Sequence, residues 1–315
     1  MKNMIKWLPV FVIVLIIIQY EFVPNFREFT LLERNAPTHV FTWFMGFVAI
    51  VFVAWNLIAL FYEKAQQSLI NKAPIITAAL ILLLVYDILT LTTGFLPQPF
   101  VPWPDAILNA MIRDRVILLR SVGHSLTLLF TGYIIGVVAG IITGVAAGWL
   151  KNVRYWVSPV VKVLGSIPPV TWLPIILILA SSLFSGAVIL IALAVWYPVT
   201  TTTMNGVRSV PKVNFEAAST FGVSKIGMIY KVALPASSPF IFQGLTQGMS
   251  VACTALLIAE MMGVEAGLGW YINWQRGWAE FAGMYAAVVI IAITFFAVNA
   301  VLNLIKGRVL RWKDE

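Results

Sequence analysis

Eight long apolar runs, separated by short polar segments, constrain this chain more than any other feature. They cover residues 7–23, 39–61, 75–96, 121–149, 157–180, 184–204, 239–263 and 284–305. A helix needs about 20 apolar residues to cross the hydrocarbon core of a bilayer, and in lipid every backbone polar group must be bonded internally. The runs therefore predict an all-α fold: a polytopic membrane helix bundle with about eight transmembrane helices.

The basic residues predict which way the bundle faces. Charged residues make up only 11% of the 315, and most of the lysines and arginines fall in segments on one side. Because cytoplasmic loops carry an excess of Lys and Arg, we predict that both termini are cytoplasmic. The first run is followed by "QYEFVPN", which contains no cleavage site of the small-x-small type found at the end of secretory signal peptides, so we expect a retained anchor helix. The net charge is +8, but the basic residues are scattered among loops and form no single patch. We therefore expect the chain to lie in a lipid bilayer and to bind no nucleic acid.

The residues needed for enzyme chemistry are scarce. Cys253 is the single cysteine, and His39 and His124 are the two histidines. No H-E-x-x-H, G-x-S-x-G or C-x-x-C motif occurs, which removes the usual signatures of zinc, serine-nucleophile and thiol chemistry. A G-x-x-x-x-G-K-[ST] phosphate loop is also missing. We therefore expect no catalytic residue, no metal and no cofactor in this chain.

Glycine recurs at every fourth residue along the fourth apolar run. Four residues turn a helix by about 400°, so the glycines form a shallow spiral groove in which another helix can lie close. Two interpretations stay open: tight helix packing, which is favoured, and a sliding contact that changes during transport. The glycines are Gly132, Gly136, Gly140, Gly144 and Gly148.

Residues 205–238 interrupt the apolar pattern with charged and turn-forming residues. Pro211 near the start and Gly222 at the end predict a first short helix, because proline suits the first turn and glycine the left-handed position after the last. Ser224 can cap a second short helix, which we expect Pro235 to stop. The helix, turn and second helix predict a protrusion that docks into a groove of a soluble partner.

The same segment resembles the coupling loop of ATP-binding-cassette (ABC) importer permeases, E-A-A-x3-G-x9-I-x-L-P, with valine in place of the isoleucine. The stretches "LGSIPPVTWLPIILI", "YPVTTTTMNGVRSVP" and "LLIAEMMGVEAGLGWYI" resemble the nitrate, sulfonate and taurine permease subfamily. The resemblance covers about residues 75–312. It implies a type I importer core in 75–315, preceded by an extension of two transmembrane helices in 1–74. The matching loop residues are Glu216, Ala217, Ala218, Gly222, Val232, Leu234 and Pro235.

The resemblance also implies a role and partners. In that family the loop enters a cleft on a cytoplasmic ATPase as a coupling helix, so the chain is implied to be a permease and not itself an enzyme. Two ATPase subunits would bind the ATP and Mg, a second copy of the permease would complete a homodimer, and an extracytoplasmic binding protein would deliver the substrate. The implied location is the bacterial inner membrane. The implied substrate is a small anion (sulfonate, taurine, nitrate or bicarbonate), and the alternative is a thiamine-precursor pyrimidine or another small aromatic solute.

Breaks and polar residues within the spans are the candidates for the translocation path. Prolines 168, 169 and 174 interrupt the backbone hydrogen bonds of the fifth run, which leaves carbonyl groups for a neighbour or a lumen. Glu260 is expected to organise the outer mouth. Asp87 is the deepest ionisable residue, and a hydrogen bond to another helix is its favoured role. The predicted path residues are Ser166, Pro168, Pro169, Thr171, Trp172, Thr200 and Glu260.

Two other classes of protein are the alternatives. A secondary transporter often carries ion-coordinating acids in several spans and inverted repeats, whereas this sequence has one deep carboxylate and no clear repeat. A membrane-embedded enzyme needs a nucleophile with its base, or a metal cluster, which two separated histidines do not supply. The ABC importer permease is therefore the favoured interpretation.

Overall fold

The computed structural model describes residues 5–26 and 36–311, and within them every regular element is a helix, which confirms the all-α prediction. A π-helical segment follows α3 (Ile88–Thr92) and another follows α10 (Ile229–Ala233), and a 3₁₀ turn precedes α7 (Pro169–Trp172). The α-helices are α1 (Leu8–Phe22), α2 (Val40–Phe61), α3 (Glu63–Asp87), α4 (Pro104–Arg113), α5 (Arg115–Trp149), α6 (Lys151–Ser166), α7 (Leu173–Leu179), α8 (Leu183–Ser209), α9 (Lys212–Thr220), α10 (Lys225–Met228), α11 (Leu234–Met262), α12 (Leu268–Gly277) and α13 (Phe281–Val309).

Six of the described helices are long and apolar enough to cross a membrane. The segments α6 and α7 add a seventh span if they are counted together, but they are bent by 98° at the break between them. The predicted count of eight is not confirmed. One reason is that α1 has only 15 residues, fewer than the roughly 20 that a helix along the bilayer normal requires. The other is that the fifth predicted span is two half-helices.

One compact unit comprises the described residues of Met1–Arg115 together with Trp274–Ala287. The helices α1, α2 and α3 pack side by side in it around Ile13, Ile16 and Phe41, which are almost completely buried. A second cluster joins α4 to the first turns of α13 through Ala106 and Ala282. Helix α3 runs without interruption through residue 74, and the division between an extension in 1–74 and a core in 75–315 stays a prediction.

A buried carboxylate fixes α4 to the first turn of α2. Asp105 accepts hydrogen bonds from the backbone amides of Thr38 at 2.7 Å and Phe41 at 2.9 Å, and from the side-chain amide of Asn109 at 2.8 Å. The first amides of a helix have no partner within it and carry a partial positive charge, so a carboxylate stabilises them. Burial raises the pKa of Asp105 above its ordinary value, and the two amide hydrogen bonds oppose that change.

The second compact unit comprises Val116–Asn273 together with the described part of Val288–Glu315. Helices α8 and α11 pack extensively against each other in it, and its core includes Leu190, Ile191 and Leu256, each with no exposed surface. The helices approach closely at Gly206, where a Cβ atom would stand 2.6 Å from the Cβ of Phe240. Lipid gives apolar side chains no hydrophobic reason to associate, so close van der Waals contact of this kind carries the packing.

The glycines of α5 lie against a matching series on α8. A Cβ atom built on any of the five would come within 2.8 Å of an atom of α8, closer than real Cβ contacts allow. Both series advance by four residues, so the two helices touch along the same spiral over more than four turns. The α8 side chains opposite the glycines are Ile191, Val195, Val199, Thr203 and Val207.

The prediction that both termini face the cytoplasm concerns residues 1–4 and 312–315, which lie outside the described residues.

Candidate coupling segment and translocation path

The segment between α8 and α11 folds as two short helices joined by a glycine turn. Pro211 precedes α9 with an extended backbone, and Gly222 follows it with φ +71°, the left-handed position that the sequence predicts. Three backbone hydrogen bonds close this turn, including Val223 N–H to Ala218 C=O at 3.2 Å. The Ser224 side chain then accepts from the Gly227 amide at 3.2 Å and caps α10, also as predicted.

The expected stop at Pro235 is wrong. The π-helical segment Ile229–Ala233 continues directly into α11, and Pro235 lies in the first turn of that helix. Proline is accepted inside this continuous stretch because the π-helical segment before it shifts the hydrogen bonds that the missing amide hydrogen would otherwise disturb. The second short helix is therefore the first turn of a helical stretch of 38 residues, Lys225–Met262. A force applied at α10 acts directly on a membrane-spanning helix.

The coupling segment, as we name residues 211–235, exposes large apolar side chains. Phe221 is 86% exposed, Ile226 69%, and Tyr230 67%. Phe221 lies past the last turn of α9. Phe215 instead packs edge-on against Trp149 at the end of α5, with ring centroids 5.5 Å apart. The segment is thus fixed to the bundle on one side and open on the other.

The predicted coupling residues are divided between these two sides. Glu216, Ala217, Gly222 and Pro235 are exposed, whereas Ala218 and Leu234 are half-buried. A Cβ atom at Gly222 would meet nothing within 4 Å, so glycine is required there by the backbone angle and not by packing.

Glu260 holds the loop that leads into α12. The carboxylate accepts a hydrogen bond from the Ser125 hydroxyl at 2.6 Å and one from the Gly269 amide at 2.8 Å. The Leu268 amide in turn donates to the Ser125 oxygen at 2.9 Å. Gly267 has φ +112°, and a side chain there would collide with the Glu260 carboxylate. Glu260 is 1% exposed. We call the hydrogen bonds among Ser125, Glu260, Leu268 and Gly269 the latch, because they join α5, α11 and the start of α12.

The break between α6 and α7 borders a cavity of about 220 Å³. Four predicted path residues line it: Ser166, Pro168, Pro169 and Trp172. Thr171 does not. The wall opposite the break comes from α8 and α11, with Tyr197 facing Gly165 so closely that any side chain at 165 would overlap the ring. The side chains that line the cavity include no ionisable group other than the Tyr197 phenol.

Thr200 lies away from this cavity. It is fully buried, and its hydroxyl is 2.9 Å from that of Thr143 on α5. The Trp196 indole also donates to Thr143, at 3.0 Å. The three side chains form a polar contact along the α5–α8 interface, where the bond to another helix explains how a buried hydroxyl is tolerated.

The hydrogen bond expected between Asp87 and another helix does not form. Neither carboxylate oxygen has a hydrogen-bond partner in the described part of the chain. The side-chain amide of Gln19, which lies beside it, donates instead to the Thr92 hydroxyl at 2.7 Å. The interhelical bond therefore forms one turn further along, in the π-helical segment.

The family follows from a match over more than half of the chain. Residues 136–314 match the model of the family described as binding-protein-dependent transport system inner membrane component. The chain belongs to this family. The match includes the coupling segment, Glu260 and the broken span, and it begins within the glycine series of α5. It assigns this family member to the inner membrane.

Curated relatives of the inner membrane component are similar over much of their length. The putative aliphatic sulfonates transport permease protein SsuC of Bacillus subtilis is 27% identical over 184 residues, which is 58% of this chain and 67% of that protein. The taurine transport system permease protein TauC of Escherichia coli is 27% identical over 223 residues, 69% of this chain and 81% of that protein. The nitrate import permease protein NrtB of Leptolyngbya laminosa is 27% identical over 60% of this chain and 68% of its own length.

A solved structure shows the same fold. The inner membrane component resembles a chain of the MetNI methionine ABC transporter in an inward facing conformation, with a TM-score of 0.55 and 20% identity, over 62% of this chain and 98% of that chain. The similarity supports the predicted importer-permease fold for this portion of the inner membrane component.

Three residues, one bonded to Glu260 and two at the cavity beside the break, have no sequence signal that identifies them. Ser125 bonds to Glu260 from 135 positions away, and Gly165 and Tyr197 meet only because α6 bends away from α7 beside α8. The proline pair at 168 and 169 signals the break itself. It gives no indication of which side chain fills the space opposite.

Proposed function

We propose that the chain is the permease subunit of an ABC importer, which forms the substrate path and couples it to ATP hydrolysis on separate cytoplasmic subunits. The observation that carries the proposal is the coupling segment. It presents Phe221, Ile226 and Tyr230 outward on a helix, turn and helix that are continuous with α11. Exposed apolar patches rimmed by polar residues mark protein interaction sites.

The assembly we propose has two ATPase subunits, two copies of this permease and an extracytoplasmic binding protein. The family description names a binding-protein-dependent system, and a chain similar in fold belongs to an ABC transporter. The ATPase subunits would hold the ATP and Mg, and the permease itself would have no enzymatic activity. In this arrangement the coupling segment and both termini face the cytoplasm, in keeping with the distribution of basic residues.

Within the permease we propose distinct roles for the predicted residues. The coupling residues Glu216, Ala217, Ala218 and Gly222 shape the protrusion that enters the ATPase. The cavity beside Trp172 is part of the path, because a broken backbone at membrane depth is tolerated where it is buried in protein or lines a cavity. Glu260 acts outside the path as the latch of the loop before α12. We also propose a structural role outside the path for Thr200, because its hydroxyl is hydrogen-bonded to that of Thr143.

Two substrate classes have separate support. A small oxyanion is favoured by the names of the relatives, which include sulfonate, taurine and nitrate permeases. A small aromatic solute is favoured by the cavity, where Trp172 and Tyr197 offer ring faces and the lining supplies no cation. We propose the oxyanion, with the aromatic solute as the second candidate. Titration of the purified binding protein with members of both classes separates the two.

The function is tested by reconstitution. The permease is purified with the ATPase encoded beside it and placed in liposomes with the binding protein inside or outside. An importer predicts a stable complex whose ATP hydrolysis rises with loaded binding protein, and substrate uptake that depends on ATP. Ion-driven uptake by the permease alone would support a secondary transporter instead. Chemical conversion of the solute without transport would support an enzyme.

A further inference from the structure

A second cavity of the second unit lies away from the path, between α11 and the end of α13. Its volume is about 640 Å³, within the range of roughly 300–1,000 Å³ typical of ligand sites. Helix α11 contributes Pro239, Phe240 and Gln243, and α13 contributes Asn303, Lys306 and Gly307. Leu310, just after α13, completes the lining, which therefore combines apolar side chains with two amides and one basic group.

The described residues provide no ion-pair partner for the basic group of this cavity. Lys306 is half-buried, and none of the ion pairs in residues 5–26 and 36–311 uses it. Helix α13 and the two described residues after it, 310 and 311, contain Lys306, Arg308 and Arg311 and no Asp or Glu. The side chains of Gln243 and Asn303 make no hydrogen bond within the described chain. A cation and two amides are thus available to one ligand.

The cavity also has a rigid floor and free space. Phe240 is held against α8 at Gly206, so the α11 wall is part of the packed bundle. Gly307 faces the cavity, and a Cβ atom there would meet nothing within 4 Å. The glycine is therefore not explained by close helix packing, and it leaves room beside Lys306.

We propose that this cavity binds the phosphate headgroup of an anionic phospholipid. It lies beside the last turns of the membrane-spanning helix α13, and basic pockets between membrane-spanning helices bind anionic headgroups. Lys306 pairs with the phosphate, the amides of Gln243 and Asn303 donate to its oxygens, and Phe240 and Pro239 contact the glycerol and the first methylenes of the chains. The residues that line the site lie outside the coupling segment, and the proposal does not depend on the identity of the transported substrate.

Native mass spectrometry of the full-length chain, released from a neutral detergent, tests the proposal. Phosphatidylglycerol and phosphatidylcholine are added in separate titrations. We expect preferential retention of phosphatidylglycerol by the wild type. Lys306→Gln should weaken it about fivefold, the effect of one basic residue near an anionic surface, and Lys306→Arg should restore it. Gly307→Leu should weaken it with the charge intact, because the new side chain occupies the cavity.

Arg308→Gln is the matched control, since Arg308 lies two residues from Lys306 and does not line the cavity. It should change retention less than Lys306→Gln does. Equal losses from the two variants would show a diffuse surface attraction and overturn the proposal. So would equal retention of the two lipids, or displacement of phosphatidylglycerol by inorganic phosphate at matched concentration, which would identify a site for a free anion.

Discussion

The Ser125 hydroxyl lies 2.6 Å from a carboxylate oxygen of Glu260, and both groups are almost completely buried. This bond joins α5 to α11, and the Leu268 amide extends it to the first residue of α12. Hydrogen bonds to a buried carboxylate are stronger than neutral ones, and an acceptor left without its donor incurs a desolvation cost. The pair therefore fixes one end of the bundle.

Ser125→Ala should destabilise the protein by about 1–3 kcal/mol, because Glu260 and the Leu268 amide each lose a partner. Thermal unfolding in detergent measures the change. Ser250→Ala is the control, since that hydroxyl is exposed and bonds only within its own helix. Equal stability of the Ser125→Ala protein and the wild type would mean that the latch is not a stabilising element.

Gly267→Ala should have an effect at least as large, for a different reason. The residue has φ +112°, and its new methyl group would overlap the Glu260 carboxylate. Gly277→Ala provides the comparison, because a Cβ atom at that position meets nothing within 4 Å. Limited proteolysis of the loop should be faster for Gly267→Ala alone. Identical cleavage rates in the two variants would count against the latch.

Gly140→Ala should destabilise the bundle by about 1–3 kcal/mol, the usual cost of overpacking. The added methyl group would stand 2.8 Å from the Val199 side chain, so α5 and α8 would have to separate. Gly123→Ala in the same helix has open space around it and should be neutral or slightly stabilising. Equal unfolding temperatures of the two variants would contradict the close contact of α5 and α8 at Gly140.

Asp105→Ala should detach the first turn of α2 from α4, because the amides of Thr38 and Phe41 lose their acceptor. Capping losses amount to about 0.5–2 kcal/mol. Asp105→Asn keeps one carbonyl oxygen and should give an intermediate loss. Hydrogen exchange at the start of α2 follows the change residue by residue. Exchange that is unaltered in Asp105→Ala would exclude the capping role.

Local features of this fold are predictable from the sequence, and long-range partners are not. The Pro211 and Gly222 positions predict α9 and its turn, because proline and glycine restrict or free the backbone of their own residue. The glycines of α5 indicate a close helix without saying which one. The pairing of Ser125 with Glu260 and of Gly165 with Tyr197 depends on how distant helices pack. The continuity of α10 with α11 was missed because a π-helical segment carries no residue signature before Pro235.

Gly222→Val and Glu216→Lys should leave the bundle folded and inserted while they lower transport, since both positions are exposed on the coupling segment. Uptake normalised to the amount of membrane-inserted protein is the measurement. Lys225→Gln, an exposed change on the same segment outside the matched motif, serves as the control. Normal uptake by both Gly222→Val and Glu216→Lys would contradict their role in coupling.

Site-directed cross-linking tests the central claim most directly. Cys253→Ala first removes the single native cysteine. Phe221→Cys then introduces one on the coupling segment at a side chain that is 86% exposed, and the complex with the ATPase is treated with a short thiol cross-linker. The account predicts a permease–ATPase product whose yield changes when ATP is bound, and no such product from a cysteine placed in the loop before α12. A Phe221→Cys thiol that reacts only with reagents outside the cell, or never with the ATPase, would contradict it.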